Sequence, residues 1–252
     1  MNKEYAQQYA KLEREHWWFL VRKKIIRQFL KKHITSPAKQ LHILNIGAAG
    51  GASSEFLKVF GAVASVETEP LFIDYLRQQN IAVTEASITK LPFNDNHFDL
   101  VCAFDVIEHV ADDVQAMKEM ERVCKINGSI CITVPAFKSL WSQHDVVNGH
   151  YRRYKKNDLK SLFEKTTQLK PIETVYFNSL LFLPILITRK MSNLFRKNKK
   201  EAESDFTYFK TSSTGNSVLK KIFGLELAMM KLFHFPFGTS LISFLKKSNS
   251  QP

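Results

Sequence analysis

Leu41-His-Ile-Leu-Asn-Ile-Gly-Ala-Ala-Gly-Gly-Ala52 decides the reading of this 252-residue chain. Residues 41–46 are a short apolar run, expected as a buried parallel strand, and the run breaks at Gly47 into a turn of very small residues. Phe56, Leu57 and Phe60 then follow at the apolar positions of a helix. A strand, a tight turn and a helix leave unpaired backbone N–H groups at the sheet edge. Without bulky side chains, a nucleotide-sized ligand can approach them closely. An acidic residue at the end of the next strand would take ribose hydroxyls. Glu67 closes Ala62-Val-Ala-Ser-Val66 and lies 20 positions after Gly47, about the separation such a site needs. A turn that only packs strand against helix has the same local signature.

Working outward, residues 70–79 read as a helix, 81–84 as a third strand and 100–104 as a fourth. Residues 112–124 form a periodic helix through Val114, Met117, Met120 and Val123, with Asn127-Gly128 as its stop signal and 129–134 as a fifth strand. Residues 172–177 and 238–245 read as two final strands paired antiparallel. Upstream, residues 4–32 are one amphipathic helix or two, with Trp18, Arg22, Ile25 and Leu30 near one stripe. The alternation predicts an α/β fold: a doubly wound, mainly parallel, seven-stranded sheet with a helical insertion before the last strand. Right-handed crossovers bring residues 47–51, Glu67, Ser87-Ile88 and residues 104–109 to one edge. The expected division is a helical cap (1–36), an α/β core (37–178), a basic apolar insertion (179–235) and a last strand with its tail (236–252).

The charge is uneven. Residues 1–150 hold 17 basic and 17 acidic side chains and residues 151–252 hold 19 and 7, so the net +12 sits in the second part. Such asymmetry points to an anionic partner. In the insertion, residues 180–187 are apolar but too short to span a bilayer, which takes about 20 residues. Arg189, Lys190, Arg196, Lys197, Lys199 and Lys200 follow with no acid between them. Residues 201–216 read as polar and mobile, and 218–233 as a second amphipathic helix with Leu225, Met229, Met230 and Phe233. Two readings stand: an element lying on an anionic membrane, or a lid over a pocket with a solvated basic face. The polar start at Met1 carries no secretory signal, so a cytoplasmic protein, peripheral on the inner face of the membrane in the first reading, is expected. Cys102, Cys124 and Cys131 read as buried free thiols, the first and last in strands and Cys124 in a helix. No C-x-x-C pair is present, and no metal is expected.

Asn45-Ile-Gly-Ala-Ala-Gly-Gly51, Glu67, Leu91-Pro-Phe93, Phe98-Asp-Leu-Val101, Asp105-Val-Ile-Glu-His-Val110 and Arg122-Val-Cys-Lys-Ile-Asn-Gly128 occur in this order. The series resembles the "type 11" group of class I S-adenosylmethionine (SAM) methyltransferases, whose sheet is Rossmann-like. The resemblance extends to His16-Trp-Trp-Phe19 with Arg22, Leu140-Trp-Ser-Gln-His-Asp145, His150-Tyr-Arg-Arg-Tyr154 and Pro236-Phe-Gly-Thr-Ser240. It implies SAM as cofactor, with Gly47, Ala49 and Gly51 facing its methionine part, Glu67 on the ribose, and Ser87 with Ile88 beside the adenine. Asn45, Thr68, Phe104, Trp18 and Arg22 complete the expected cofactor set. Three positions depart from the pattern: Asn45 replaces an acid, Ala49 a glycine and Ser87 an aspartate. The dinucleotide pattern G-x-G-x-x-G would read Gly47, Ala49 and Ala52, one glycine of three, which disfavours a nicotinamide enzyme.

Methyl transfer needs a nucleophile held in line, and a hydroxyl nucleophile is helped by a base titrating near neutrality. His109, His144 and His150, with Asp145 as a partner, are the catalytic candidates. Arg152, Arg153 and Tyr154 are candidates for binding an acceptor phosphate or carboxylate. The same residues read equally well as a structural salt-bridge network. The Asn/Asp-Pro-Pro-aromatic signature of nucleic-acid amino-methyltransferases is absent after the fourth strand, where the chain reads Phe104-Asp-Val-Ile107. The expected reaction is methylation of a small or lipid-linked acceptor at oxygen or carbon. A SAM-binding module without turnover is the alternative.

Overall fold

The computed structural model describes residues 3–34, 40–166, 168–195 and 213–249. One sheet holds β1 (Leu41–Ile46), β2 (Gly61–Glu67), β3 (Val83–Glu85), β4 (Phe98–Phe104), β5 (Cys124–Pro135), β6 (Leu169–Phe177) and β7 (Ser240–Lys247). Their order is β3-β2-β1-β4-β5-β7-β6. β1 to β5 are parallel, and β7 runs antiparallel to both β5 and β6. The strand order reverses between β1 and β4, so the chains leaving their carboxyl ends diverge and open a crevice there.

Helices cover both faces. They are α1 (Lys3–Glu15), α2 (Trp17–His33), α3 (Ala52–Leu57), α4 (Pro70–Gln78), α5 (Asp113–Val123), α6 (Gln143–Val147), α7 (Lys156–Phe163), α8 (Phe182–Phe195) and α9 (Ser213–Met229). Because both faces are buried, the central strands read as nearly continuous apolar runs. Leu44, Ile46, Val101, Ala103, Ile130 and Ile132 pack on Met117, Met120 and Leu159 of α5 and α7. Ile43, Leu100, Cys102, Cys131 and Ile242 pack on Val21, Ile25 and Phe29 of α2. Local signals start the helices: Asp112 accepts a hydrogen bond from the Gln115 N–H (2.9 Å) ahead of α5, and Pro70 opens α4.

Several expectations shift. The amino-terminal segment is two helices joined at His16, and the buried stripe of α2 runs through Trp17, Val21, Ile25, Ile26, Phe29 and Leu30, with Trp18 half-buried at its side. The third strand occupies 83–85 rather than 81–84. Cys124 begins β5 instead of ending the helix, and Asn127 (φ +61°) sits in an irregularity of that strand rather than in a helix stop. Lys247 explains the early stop of α5. Its buried ammonium donates to the Glu121 and Cys124 carbonyls (2.8 and 2.9 Å), satisfying the groups a longer helix would have used. All three cysteines are buried and free.

Between β6 and β7 lie α8 and α9. α9 begins at Ser213, so the polar stretch expected to be mobile is helical over 213–216. Residues 196–212, with Arg196, Lys197, Lys199 and Lys200, lie outside the described residues. Fully buried Glu226 of α9 accepts from the Ser179 and Leu180 N–H groups (2.8 and 3.3 Å) and fastens α9 to the end of β6. Leu219, Leu227 and Met230 face the core, whereas Leu225 and Phe233 point outward. Among the described residues, no helix is long and apolar enough to cross a membrane.

Candidate active site

The turn after β1 is held from below and from the side. Beneath it, Asn45 is fully buried and its amide nitrogen donates to the Ser53 and Ser54 hydroxyls (2.8 and 2.9 Å); Ser54 in turn meets Ser65 of β2 at 2.8 Å. The Asn45 carbonyl oxygen is buried with no hydrogen-bond partner. From the side, buried Glu67 accepts from the Ala49 N–H at 2.8 Å with one oxygen, and from the Thr68 and Glu69 N–H groups at 2.8 and 3.0 Å with the other. Ala49 has φ +44°, a left-handed conformation costly to a residue with a Cβ. Glycine is needed at Gly47 for two reasons: its φ is +74°, and a Cβ there would stand 2.6 Å from the Val106 side chain.

The amino-terminal helices roof this turn. A Cβ on Gly50 would meet the Ala10 backbone at 2.6 Å, and Glu13 accepts from the Ala52 N–H at 3.5 Å. Burial raises the Glu13 carboxyl to about 7, against smaller opposing effects of the Ala52 N–H, Arg14 and Arg22. Arg14 donates to the Gly50 carbonyl (2.9 Å) and pairs with Glu55 (2.5 Å). Arg22 of α2 spans the edge: it pairs with Asp105 at 2.7 Å and donates to the Thr133 hydroxyl at 2.5 Å, and Thr133 donates to Asp105 at 2.9 Å. Asp105 itself is left-handed, at φ +54°.

Beyond β4, a 3-10 turn (Ile107–His109) brings a second group of residues to the same edge. Glu108 is fully buried, and neither carboxyl oxygen has a hydrogen-bond partner. Burial, then the nearby Asp105 charge, holds this carboxyl well above its ordinary value. The rings of His109 and His150 meet edge-to-face with centroids 4.5 Å apart. Burial and then His150 lower the His109 pKa.

Asp145 is the organiser of the carboxyl-terminal candidates. It is fully buried and accepts from His150 Nδ1 (2.8 Å), the Arg153 Nε–H (2.7 Å) and the Ser142 N–H (2.8 Å). Burial opposes its ionisation, but the His150 bond and the Arg153 guanidinium outweigh burial and hold it well below the usual carboxylate range. His144 contacts Asn148 and lies 6.1 Å from His150, ring to ring. Arg152 pairs with Asp113 at 2.8 Å and donates to the Ala111 carbonyl at 2.6 Å. Tyr154 is buried with its hydroxyl on Asp113 at 3.0 Å.

Of the sequence candidates, Asn45, Gly47, Ala49, Gly51, Glu67 and Thr68 meet at the turn. Arg22 reaches the edge through Asp105. Ser87 is exposed and turned onto Thr89 (2.8 Å), while Ile88 is buried in the α5 layer. Phe104 and Trp18 pack in the α2 layer. Sequence reasoning gave Glu13, Asp105, Glu108 and Thr133 no role, although it brought residues 104–109 to this edge. Two of them stand inside the quoted Asp105–Val110 motif, which was the available signal.

Residues 44–132 match the family model of the methyltransferase domain. The matched segment is 89 of the 252 residues. It takes in the glycine turn, Glu67 and the Asp105–His109 segment. The chain is 31% identical over 152 residues to an uncharacterized protein of Methanocaldococcus jannaschii, a match covering 58% of this chain and 61% of that one. A Mycobacterium tuberculosis protein named "Probable S-adenosylmethionine-dependent methyltransferase" is 26% identical over 127 residues, or 49% of this chain and 44% of its own. The chain thus spans about half the length of these curated relatives. Among solved structures, the phosphoethanolamine N-methyltransferase 2 of Haemonchus contortus, in complex with S-adenosyl-L-methionine, superposes with a TM-score of 0.56 at 16% identity. That superposition covers 88% of this chain and 52% of the other. The chain therefore shares its fold with that enzyme.

Proposed function

We propose that the protein is a SAM-dependent methyltransferase acting at oxygen or carbon of a small or lipid-linked acceptor. The observation that carries this reading is the turn after β1, with Glu67 on one flank and the unpartnered Asn45 oxygen beneath. SAM fits these residues. Its ammonium would be a donor for the unpartnered Asn45 oxygen once the turn opens around that buried atom. The Glu67 carboxylate has roughly four lone-pair sites, of which three are used, and so retains capacity for a ribose hydroxyl. The close approach at Gly47 and Gly51 is backbone without side chains. When bound, the cofactor supplies an electrophilic methyl group. The chain's part is positional: Glu67 and the turn fix the sugar and methionine ends, while the α1–α2 roof keeps water from the edge. The residues after β4 and β5 line the side from which an acceptor would come.

The lipid-linked reading is supported by an apolar surface on the insertion and its approach to β7. Leu183, Ile187, Ile222, Leu225, Leu232 and Phe233 are exposed there, with Lys221 and Lys231 beside them. Such a surface suits a cytoplasmic protein held peripherally on an anionic membrane.

Calorimetry with SAM, S-adenosylhomocysteine and NAD tests the cofactor: binding of the first two alone is expected, and NAD binding alone overturns the reading. A lysate or lipid extract given labelled SAM tests turnover. No labelled product over many acceptors favours a binding module without catalysis. Co-sedimentation with phosphatidylglycerol vesicles tests the surface. The intact protein should pellet and the Leu232→Glu, Phe233→Glu double variant should not; an intact protein that stays in the supernatant removes the membrane.

A further inference from the structure

Glu108, His109 and His150 come from two separate segments, and each offers one ligand atom within 4.8 Å of the other two. Two further observations distinguish this group from a chance cluster. Glu108 is fully buried, yet both carboxyl oxygens lack a hydrogen-bond partner. A buried carboxylate is ordinarily paired, hydrogen-bonded or on a metal. His150 gives its Nδ1 to the fully buried Asp145 at 2.8 Å, which leaves Nε2 as the available electron pair. A carboxylate orienting an imidazole in this way is the usual outer support of a metal ligand.

We propose that Glu108, His109 and His150 bind one divalent transition-metal cation, with Asp145 as the positioning residue for His150. Two imidazoles and a carboxylate are the donor set for Zn²⁺, Co²⁺, Fe²⁺ or Mn²⁺ rather than Ca²⁺ or Mg²⁺. Metal–ligand bonds of about 2.0–2.2 Å set donor atoms roughly 3–3.5 Å apart. Side-chain movements of about 1 Å therefore close the site. Three protein ligands would leave a coordination position open. A hydroxyl held there would give up its proton to water more readily, by the Lewis-acid effect. This deepens the methyltransferase reading and rests on it for the identity of the bound oxygen: the acceptor class becomes one that presents a hydroxyl.

The cation alone is the probe. Purified full-length protein, stripped with EDTA and titrated with Co²⁺, should show visible d–d absorption saturating at one equivalent, displaced by one equivalent of Zn²⁺. Glu108→Gln, which keeps the shape of the side chain, and His109→Gln should each weaken Co²⁺ at least tenfold with unchanged circular dichroism. Asp145→Asn should weaken it about 10–100-fold while leaving the stoichiometry at one. Absence of saturable Co²⁺ binding, or binding unchanged in both Glu108→Gln and His109→Gln, overturns the site. Because this assay needs neither SAM nor acceptor, SAM binding without Co²⁺ binding defeats only the metal. Co²⁺ binding without SAM binding defeats only the methyl-transfer reading.

Discussion

Replacing Glu67 with glutamine keeps the size of the side chain and removes one acceptor oxygen and the charge. In the native turn the carboxylate accepts from three backbone N–H groups, one of them on left-handed Ala49. Hydrogen bonds to a charged group contribute about 1.5–3 kcal/mol each, and a buried donor left facing another donor adds its own penalty. The glutamine oxygen can serve Ala49 or the Thr68–Glu69 pair, but its NH₂ then opposes the other set. A loss of about 2 kcal/mol is expected. For a chain of this size that lowers the melting temperature by about 4–8 °C. Binding of SAM should weaken at least tenfold, about 1.4 kcal/mol. Differential scanning calorimetry and isothermal titration measure the two effects on one preparation. Ala49→Gly provides the matching gain. Glycine removes a left-handed Cβ costing roughly 1–2 kcal/mol and gives back about 0.4–1 through the unfolded chain, so a net stabilisation of about 0.5–1 kcal/mol is expected. A Glu67→Gln protein that melts and binds SAM like the parent would refute the assignment of this carboxylate to both turn and cofactor.

Three further outcomes follow from the charged groups. Arg153→Ala removes the guanidinium from fully buried Asp145, and breaking a buried pair costs about 3–5 kcal/mol, read as a lower midpoint in urea. The Asp145 carboxyl is depressed in the folded protein, so its stabilisation is complete above the unfolded carboxylate value and is lost as pH falls through the lower folded value. Asp145→Asn should flatten the dependence of stability on pH below about 4, as followed by circular dichroism. Glu13 has the opposite sign. Its folded value near 7 exceeds the ordinary glutamate value of about 4.3, so its contribution is full at low pH and is lost between those values. Hydrogen exchange in α1, corrected for intrinsic rates, should be faster at pH 8 than at pH 5, and Glu13→Gln should abolish the difference. Equal exchange in the parent protein refutes the docking role of that carboxyl.

The sheet was legible because both its faces are buried. Residues 41–46, 100–104 and 129–134 are mostly apolar, with His42, Asn45, Ser129 and Thr133 the polar exceptions, and each is followed by small or polar residues that mark its end. The turn and its contact with Glu67 were legible for a related reason: the contact joins the turn backbone to the neighbouring strand, and both lie at fixed distances along the chain. What escaped depended on side chains meeting from distant segments. Nothing local to Lys247 announces that it caps α5, 126 positions away at Glu121. Asn127-Gly128 therefore looked like the natural stop. Likewise Glu13 reads as one more acid on an amphipathic helix, and only the packing of Ala10 on Gly50 carries it to the Ala52 N–H. Arg152 and Arg153 read equally well as ligand clamps and as structural ions. Their partners Asp113 and Asp145 are now visible, and only the latter pair is deeply buried.

Asn45 and the carboxylates around it form a single electrostatic arrangement. An acid at position 45 would place a charge in a fully buried site among Ser53, Ser54 and Ser65, where desolvation is severe. Asparagine avoids that charge yet keeps an unpartnered acceptor there. Negative charge is supplied instead from the periphery: Glu67 beside the turn, Glu13 on the roof and Asp105 at the end of β4. Arg22 already neutralises Asp105 at 2.7 Å, and Glu13 holds its proton up to about pH 7. On the proposed function, Glu67 would then be the principal uncompensated charge facing the cationic cofactor. Substitution there should depress affinity more than substitution of Asn45 or Glu13. An Asn45→Asp protein that binds SAM more tightly without loss of stability would show that this division of charge is incidental.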